Sequence, residues 1–257
     1  MVLSKKDLAV VLVIVLLVIM NIGAINNTGR KRAKEMVCLS NLHQWGKMFE
    51  MFTNDNNGYF NTGYIAATVG EKGLWMNALR PYYKNNVSLL LCPEATRAGY
   101  YYSSTFIAWS RDGLYGSSQS TVGSYGINGW TNRAIITSVG DTQQYWKNVR
   151  SVQGKNNIPV FLDSTSYNAR PTDTDSPPNY FSEWAMGAHS GMNNFCIDRH
   201  NGGVNGLFMD WSARKIGLKE LWTLKWHRNF RTWGPWTRAG GVRPERWPNW
   251  MRDFKEY

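Results

Sequence analysis

A long apolar segment at the start of the chain runs directly into a helical pattern. Residues 8–25 are interrupted only by Asn21 and Gly23, and this length is close to the roughly 20 residues with which a helix crosses a bilayer. A cleaved signal peptide would end in small residues, but no A-x-A-like site follows residue 25 before the charged patch begins. The sequence therefore predicts one continuous helix, its first part in a membrane and its second part attached to a folded domain.

The helical pattern continues beyond the charged patch as an amphipathic stem. Its apolar side chains recur at spacings of three and four residues, which is typical of one buried helix face. These side chains are Val37, Leu39, Leu42, Trp45, Met48, Phe49 and Phe52. The segment 54–58 contains Asn, Asp and Gly, residues that accept the left-handed conformation found at helix ends. We therefore expect the helix to end near Asn54.

The remaining chain predicts an α+β domain, because 24 glycines and many aromatic residues favour strands and turns over a helical bundle. The expected fold has the long N-terminal helix packed on an antiparallel β-sheet head with loop-rich insertions. Strands are predicted over residues 87–91, 123–130, 158–162, 204–209 and 214–217, and short helices over 74–83 and 218–230. The expected divisions are 1–29 for the membrane anchor and flank, 30–56 for the stem helix, 57–217 for the head, and 218–257 for a Trp/Arg-rich C-terminal helix and tail.

The formal charge of +11 is concentrated at the two ends of the chain. Basic residues beside the apolar segment are typical of contact with anionic lipid headgroups. The C-terminal segment carries the remaining positive charge, with tryptophans interleaved among arginines. Trp233, Trp236, Trp247 and Trp250 could stack on the sugars of a glycan or the bases of a nucleic acid. The alternative is a tail wrapped on the sheet, with arginine stems packed over the indole rings.

One polar loop region holds a group of acidic residues that could bind calcium, which prefers oxygen ligands. The candidate ligands are Asp163, Asp173, Asp175 and Glu183. The alternative is that these are solvated turn residues, and no other metal site is predicted.

Three cysteines are too few for a disulfide scaffold. If the domain lies outside the cytoplasm, Cys38 and Cys92 could form a disulfide that closes a loop of about 54 residues, worth about 3–4 kcal/mol. The alternative is two buried free thiols. Cys196 is expected to be an unpaired core residue.

His200 and Asp210 have the spacing H-x9-D around a predicted strand. The strand separates them by roughly 20 Å, so they are not expected to share a ligand. We expect an architectural role instead, with His200 capping one turn, Asp210 accepting backbone hydrogen bonds in the next, and Gly202 and Gly203 supplying the turn. The chain also lacks the G-x-S-x-G, H-E-x-x-H, phosphate-loop and CxxC motifs of common enzymes, so no catalytic residue is predicted.

The stem and the hairpin together resemble bacterial pilin-like proteins with a prepilin-type N-terminal helix and an H-x9-DG signature, as in planctomycete-type bacteria. The resemblance is carried by RAKEMVCLSNLHQWGKMFEMFTNDNNGYF, LLLCPEA, GSYGINGW and RHNGGVNGLFMDWSARKIGL. Trp211 stands where that signature has glycine, and Asp7 stands where the family has a glutamate. The resemblance implies a pilin or pseudopilin subunit of a type II secretion or type IV pilus-like system. It also implies that Asp7 acts in assembly with other subunits.

Two alternatives stay open at the level of the sequence. The positive-inside rule places the C-terminal domain in the cytoplasm, because more basic residues follow the apolar segment than precede it. The resemblance instead implies an inner-membrane protein with a single span and an extracytoplasmic head. In function, a structural subunit competes with a monomeric membrane-anchored binding module that recognises glycan or nucleic acid through its aromatic, basic C-terminal segment. No small-molecule substrate is expected in either case.

Overall fold

The first element of the structure is a very long helix. The structure is a computed structural model and describes residues 5–63, 71–84, 86–99, 103–111, 121–133, 143–180 and 191–257. Helix α1 spans Lys5–Asp55, 51 residues, and is roughly 76 Å long at 1.5 Å per residue. It ends close to the predicted point, where Asn57 (φ 56°) and Gly58 (φ 87°) adopt the left-handed conformation. The prediction of a long N-terminal helix is confirmed.

The N-terminal part of α1 is the segment for which a membrane span is predicted. Within the described part of the chain, no helix combines the length and apolarity needed to cross a membrane. The predicted span covers residues 8–25, and the side chains of Leu8 and of residues 17–26 lie outside the described part. The side chains of residues 10–16 are described, and each is between 47% and 58% exposed.

Short helical segments follow the stem, beginning with the 3₁₀-helix Glu71–Gly73. Helix α2 is Trp75–Ala78 and helix α3 is Arg80–Tyr83, so the helix predicted over 74–83 is present in two pieces. The strand predicted over 87–91 is wrong, because Val87–Leu90 forms a 3₁₀-helix that buries Leu89 and Leu90. A short apolar run fits a buried strand or a buried helical turn equally well, and periodicity alone does not separate the two.

The described strands form two sheets. The smaller has the order β1-β2-β3, with β1 at Arg97–Ala98, β2 at Ile107–Arg111 and β3 at Thr121–Gly123. The larger has five strands in the order β6-β4-β5-β7-β8. Its members are β4 at Tyr125–Asn128, β5 at Pro159–Asp163, β6 at Asn168–Ala169, β7 at Gly203–Phe208 and β8 at Ala213–Gly217.

The larger sheet was expected to be purely antiparallel, but it is mixed. Strand β6 pairs with β4 in parallel, whereas the other neighbours are antiparallel. Strand β5 ends at Asp163 opposite Tyr125, the first residue of β4. The chain then crosses the start of β4 within residues 164–167, so β6 enters the sheet in the direction of β4.

Helix α1 packs its C-terminal part against β7 and β8. The buried face agrees with the predicted one for Leu42, Trp45 and Phe49, whereas Val37 is 49% exposed. The indole of Trp45 lies against the rings of Trp75 and Phe161, with ring centroids 5.3 and 5.2 Å apart. One face of the stem is therefore part of the core of the head, and the opposite face is exposed.

The C-terminal segment belongs to the same hydrophobic core. Trp222, Trp226 and Trp247 are buried there. The helix predicted over 218–230 is limited to the 3₁₀-helix Lys219–Thr223. Beyond that point the backbone bonds to the head, since the Trp226 carbonyl accepts from Asn128 Nδ2 at 2.8 Å. These contacts replace the hydrogen bonds that would continue a helix.

The turn that leads into β7 differs in one respect from the expectation. Its left-handed residues are Asn201 (φ 48°) and Gly202 (φ 84°). Gly203, which was expected to supply the turn together with Gly202, does not have a positive φ. At Gly203 the requirement is steric. A Cβ atom there would lie 2.5 Å from the carbonyl oxygen of Ile216 on β8.

Replacement of Gly203 by valine is expected to lower the free energy of unfolding by about 1–3 kcal/mol, because β7 and β8 would have to separate. Gly29→Ala is the control, since a Cβ at Gly29 meets nothing within 4 Å, and it should leave unfolding of the head unchanged. Urea unfolding of both variants, followed by circular dichroism, measures the effect. An unchanged midpoint for Gly203→Val would contradict the steric role.

Candidate metal centre

Four side chains that can bind a metal meet where the stem helix crosses the large sheet. They are Cys38 on α1, Cys92 after the 3₁₀-helix, Asp163 at the end of β5 and His200 before β7. One ligand atom from each lies within 4.8 Å of all the others, and all four residues are buried. We call these four residues the Cys-Asp-His cluster.

The local structure around each residue positions its side chain. Cys38 lies on the buried face of α1, one turn before Leu42. Asn41 Nδ2 binds the carbonyl of Leu91 at 3.2 Å, which fixes the segment that carries Cys92 against the helix. The backbone N–H of His200 donates to the carbonyl of Gly203 at 3.0 Å and closes the turn before β7.

The contacts inside the cluster are short and connect all four side chains. Cys38 Sγ lies 3.6 Å from each carboxylate oxygen of Asp163. His200 Nε2 lies 3.1 Å from Asp163 Oδ2 and 3.3 Å from Cys92 Sγ. The Tyr125 hydroxyl donates to Cys38 Sγ at 3.3 Å. The sulfur, nitrogen and oxygen atoms therefore converge on one buried point.

Asp163 is also held from outside the cluster. Arg199 Nη1 donates to Asp163 Oδ1 at 3.0 Å, and both side chains are fully buried. The backbone N–H of Asn205 donates to Asp163 Oδ2 at 2.8 Å. Arg199 further donates to the carbonyls of Thr105 and Ser164, so the guanidinium is fixed by several elements at once.

Burial and charge shift the pKa values of the cluster in different directions. Burial lowers the pKa of His200, but the charge and hydrogen bond of Asp163 together with Cys92 outweigh burial and raise this pKa to about 10. Burial raises the pKa of Asp163, but His200 and Arg199 together hold it well below its usual range. Burial raises the pKa of the Cys38 thiol far above its usual value. The Asp163 carboxylate is therefore ionised, with two cationic partners.

The cysteines differ from the predicted disulfide. Cys38 and Cys92 lie close together, as the predicted disulfide requires, but both are free thiols in the structure. Cys196 is also a free, buried thiol, and its sulfur lies 3.9 Å from Met251 Sδ. The structure thus shows the alternative of buried thiols that the sequence left open.

His200 and Asp210, the two residues of the H-x9-D motif, lie in different environments. The turn-capping role expected for the His200 side chain is wrong, because its imidazole pairs with Asp163. Asp210 Oδ1 accepts from the backbone N–H of Ser212 at 3.0 Å and from its hydroxyl at 2.6 Å. His200 is therefore part of a charged cluster, and Asp210 is part of a turn.

The acidic residues proposed as calcium ligands are not grouped as expected among the described residues. Asp163 belongs to the Cys-Asp-His cluster, which contains neither Asp173 nor Asp175. Asp173 pairs with Arg231, and Asp175 accepts from the backbone N–H of Met192 at 2.9 Å. Glu183 lies outside the described residues. The structure supports a group that could hold a metal ion, with sulfur and nitrogen donors beside the carboxylate.

The tryptophans proposed for ligand stacking are mostly packed against the head. Trp247 is buried beneath the ammonium of Lys219, 5.0 Å from its ring centroid, so the stacking role predicted for it is wrong. Trp236 lies 5.5 Å from Trp247, and Trp250 donates to the carbonyl of Pro178 at 2.9 Å. Trp233 is 57% exposed. Trp236 and Trp250 are half-buried.

Arg199 contacts the site but is not among the residues predicted from the sequence. The available signal was Asp163, which directly follows the apolar run of residues 158–162. An aspartate at the end of a buried strand needs a partner of opposite charge, and the Arg199-His200 pair beside a turn could have supplied it. The spacing along the chain gave no indication that these segments meet.

The chemistry of the cluster is thus inferred from its own geometry. Comparison of the chain with protein-family models, with curated proteins and with solved structures gives no match.

Proposed function

We propose that the protein is a membrane-anchored structural subunit of the pilin or pseudopilin type. It assembles through helix α1 in a type II secretion or type IV pilus-like system, with the head on the extracytoplasmic side of the inner membrane. The observation that carries this proposal is the division of α1 into two parts. Its C-terminal part buries one face in the head, and its N-terminal part carries exposed apolar side chains.

The exposed apolar part of α1 has no polar face. Residues 10–16 are seven consecutive apolar residues, which cover about two helical turns and therefore point in every direction around the axis. A helix that is apolar on all sides is stable when lipid or other apolar helices surround it. Neighbouring copies of α1 and the membrane both provide such surroundings.

The stem gives the head a fixed position relative to the assembling part. Helix α1 is continuous from Lys5 to the buried Cys38, a length of about 50 Å at 1.5 Å per residue. Trp45 fixes the stem in the head through its ring contacts and a 2.7 Å hydrogen bond from its indole to the Leu89 carbonyl. Packing of the N-terminal parts would therefore array the heads regularly.

Replacement of Asp7 by alanine is expected to reduce assembly while membrane insertion is retained. Removal of a charge makes the segment more apolar, but it also removes a carboxylate that can pair with the amino terminus of a neighbouring subunit. Lys6→Ala is the matched control, because it removes the adjacent charge and leaves the carboxylate. Carbonate extraction measures insertion, and electron microscopy of filaments with cross-linking measures assembly. Equal assembly of Asp7→Ala and wild type would remove the pairing role.

Deletion of residues 1–29 tests the proposal more directly. The shortened chain is expected to be a soluble, folded monomer, because the stem from residue 30 onward and the head retain the core. Sedimentation velocity and near-ultraviolet circular dichroism report the mass and the folded state. Filaments or membrane complexes formed by this fragment would contradict assembly through the N-terminal part of α1.

A further inference from the structure

We propose that the Cys-Asp-His cluster is a structural zinc site that fastens the stem helix to the large sheet. The inference does not depend on the pilin-type function, since a metal bound inside the head is compatible with any role of the whole protein. It rests on the distances between the ligand atoms, on the charges around them and on the chemistry of the donor set.

The distances fit four ligands around one ion. Zinc binds sulfur at about 2.3 Å and nitrogen or oxygen at about 2.0–2.2 Å, so the ligand atoms of a tetrahedral site lie roughly 3.3–3.8 Å apart. The measured separations are 3.1 Å for His200 Nε2 to Asp163 Oδ2, 3.3 Å for His200 Nε2 to Cys92 Sγ and 3.6 Å for Cys38 Sγ to Asp163. Small shifts of side chains would open the centre for the ion.

The charges of a loaded site balance in a buried environment. Zinc requires both cysteines as thiolates and the histidine as neutral imidazole. Two thiolates, the Asp163 carboxylate, the Arg199 guanidinium and one divalent cation then sum to zero. Arg199 and the Asn205 N–H hold the carboxylate, and the Tyr125 hydroxyl reaches Cys38 Sγ. Ligands fixed in this way by outer partners are typical of metal centres.

The donor set favours zinc over the other candidates. Calcium takes six to eight oxygen ligands, whereas this cluster offers two sulfurs, one nitrogen and one carboxylate. A disulfide would use the two sulfurs but would give no role to the convergence of His200 Nε2 on both Cys92 and Asp163. Zinc accepts sulfur, nitrogen and oxygen together in closed four-coordinate sites.

A pocket of about 220 Å³ adjoins the cluster at His200. Its other charged lining residues are the carboxylates Glu35, Glu94 and Asp198 and the cations Lys31 and Arg199. Two of these carboxylates are already paired, Glu94 with Lys34 and Glu35 with Lys215. His200 therefore borders both this pocket and Cys92 Sγ, which lies 3.3 Å from its Nε2.

The consequence is a cross-link between four distant parts of the chain. The ligands come from α1, the segment after the 3₁₀-helix, β5 and the turn before β7. Because such a site does not exist in the unfolded chain, the binding energy of the metal adds to the stability of the fold. Zinc therefore would hold the stem helix in the head.

The test uses the full-length chain, purified in detergent under reducing conditions and analysed for metals by inductively coupled plasma mass spectrometry. We expect about one zinc per chain, and loss of at least about tenfold in retained zinc for Cys92→Ser and His200→Gln. Cys196→Ala is the matched control, because this buried thiol lies outside the cluster, and it should retain the metal. Full zinc retention by Cys92→Ser or His200→Gln would overturn the proposal.

A second measurement uses the wild-type chain, so it tests the proposal even if the variants fail to fold. After removal of the metal with a chelator, addition of Co²⁺ should give the visible spectrum of a tetrahedral site with thiolate charge-transfer bands. Addition of zinc should then displace the Co²⁺ and abolish this spectrum. Metal-free protein that is reduced, refolded in air and then denatured, and in which only one of the three thiols reacts with a thiol reagent, would assign Cys38 and Cys92 to a disulfide and overturn the proposal. Stoichiometric copper or iron would overturn the choice of zinc. None of these outcomes changes the assembly tests on Asp7.

Discussion

Replacement of Asp163 by asparagine is expected to lower the free energy of unfolding by about 3–5 kcal/mol. Asp163 is fully buried between Arg199 and His200. His200 can respond to the lost charge by releasing its proton, but arginine stays charged in proteins. The variant therefore leaves an uncompensated guanidinium in the core, because the Arg199 side chain is also fully buried.

Urea unfolding in the presence of a chelator measures this effect without any contribution from a bound metal. Asp173→Asn is the control, because Asp173 pairs with Arg231 at the surface, where the arginine side chain is 52% exposed. Surface ion pairs contribute about 0–1 kcal/mol, so the control should change little. Equal stability of the two variants would contradict the role of Asp163 in compensating the buried charge of Arg199.

Replacement of Trp45 by alanine is expected to lower the free energy of unfolding of the head by about 3–5 kcal/mol, as for other fully buried aromatic side chains. Its indole contacts the rings of Trp75, Tyr83 and Phe161. The variant also leaves the Leu89 carbonyl without its 2.7 Å hydrogen bond. The contacts that are lost are those that attach the stem to the head.

Val37→Ala is the matched control for Trp45, since Val37 lies on the same helix and is 49% exposed. Its effect should stay within about 0.5 kcal/mol. Circular dichroism during urea unfolding measures both, and hydrogen exchange of the stem amides shows whether the helix detaches first. A stem that remains protected in Trp45→Ala would indicate that other contacts hold it to the head.

Elements with a strong local pattern were predictable from the sequence. The stem follows from apolar residues at helical spacing, and its end follows from the Asn-Asp-Gly segment that accepts left-handed backbone. Strand β5 follows from a short apolar run, and β7 and β8 follow from the turn residues that flank them. The segments at 87–91 and 218–230 were assigned wrongly, because their backbone groups bond to distant parts of the head, which a local pattern does not report.

The sequence by itself determined the long N-terminal helix, its apolar beginning and the α+β character of the head, because these depend on periodicity and composition within one segment. Only the tertiary structure decided that Cys38, Cys92, Asp163 and His200 meet. It also decided that the aromatic C-terminal segment is part of the core. The physical reason is that both results depend on contacts between residues far apart in the chain. Contacts with each other and with Arg199, acting against burial, then hold the pKa of Asp163 below its usual range and raise that of His200.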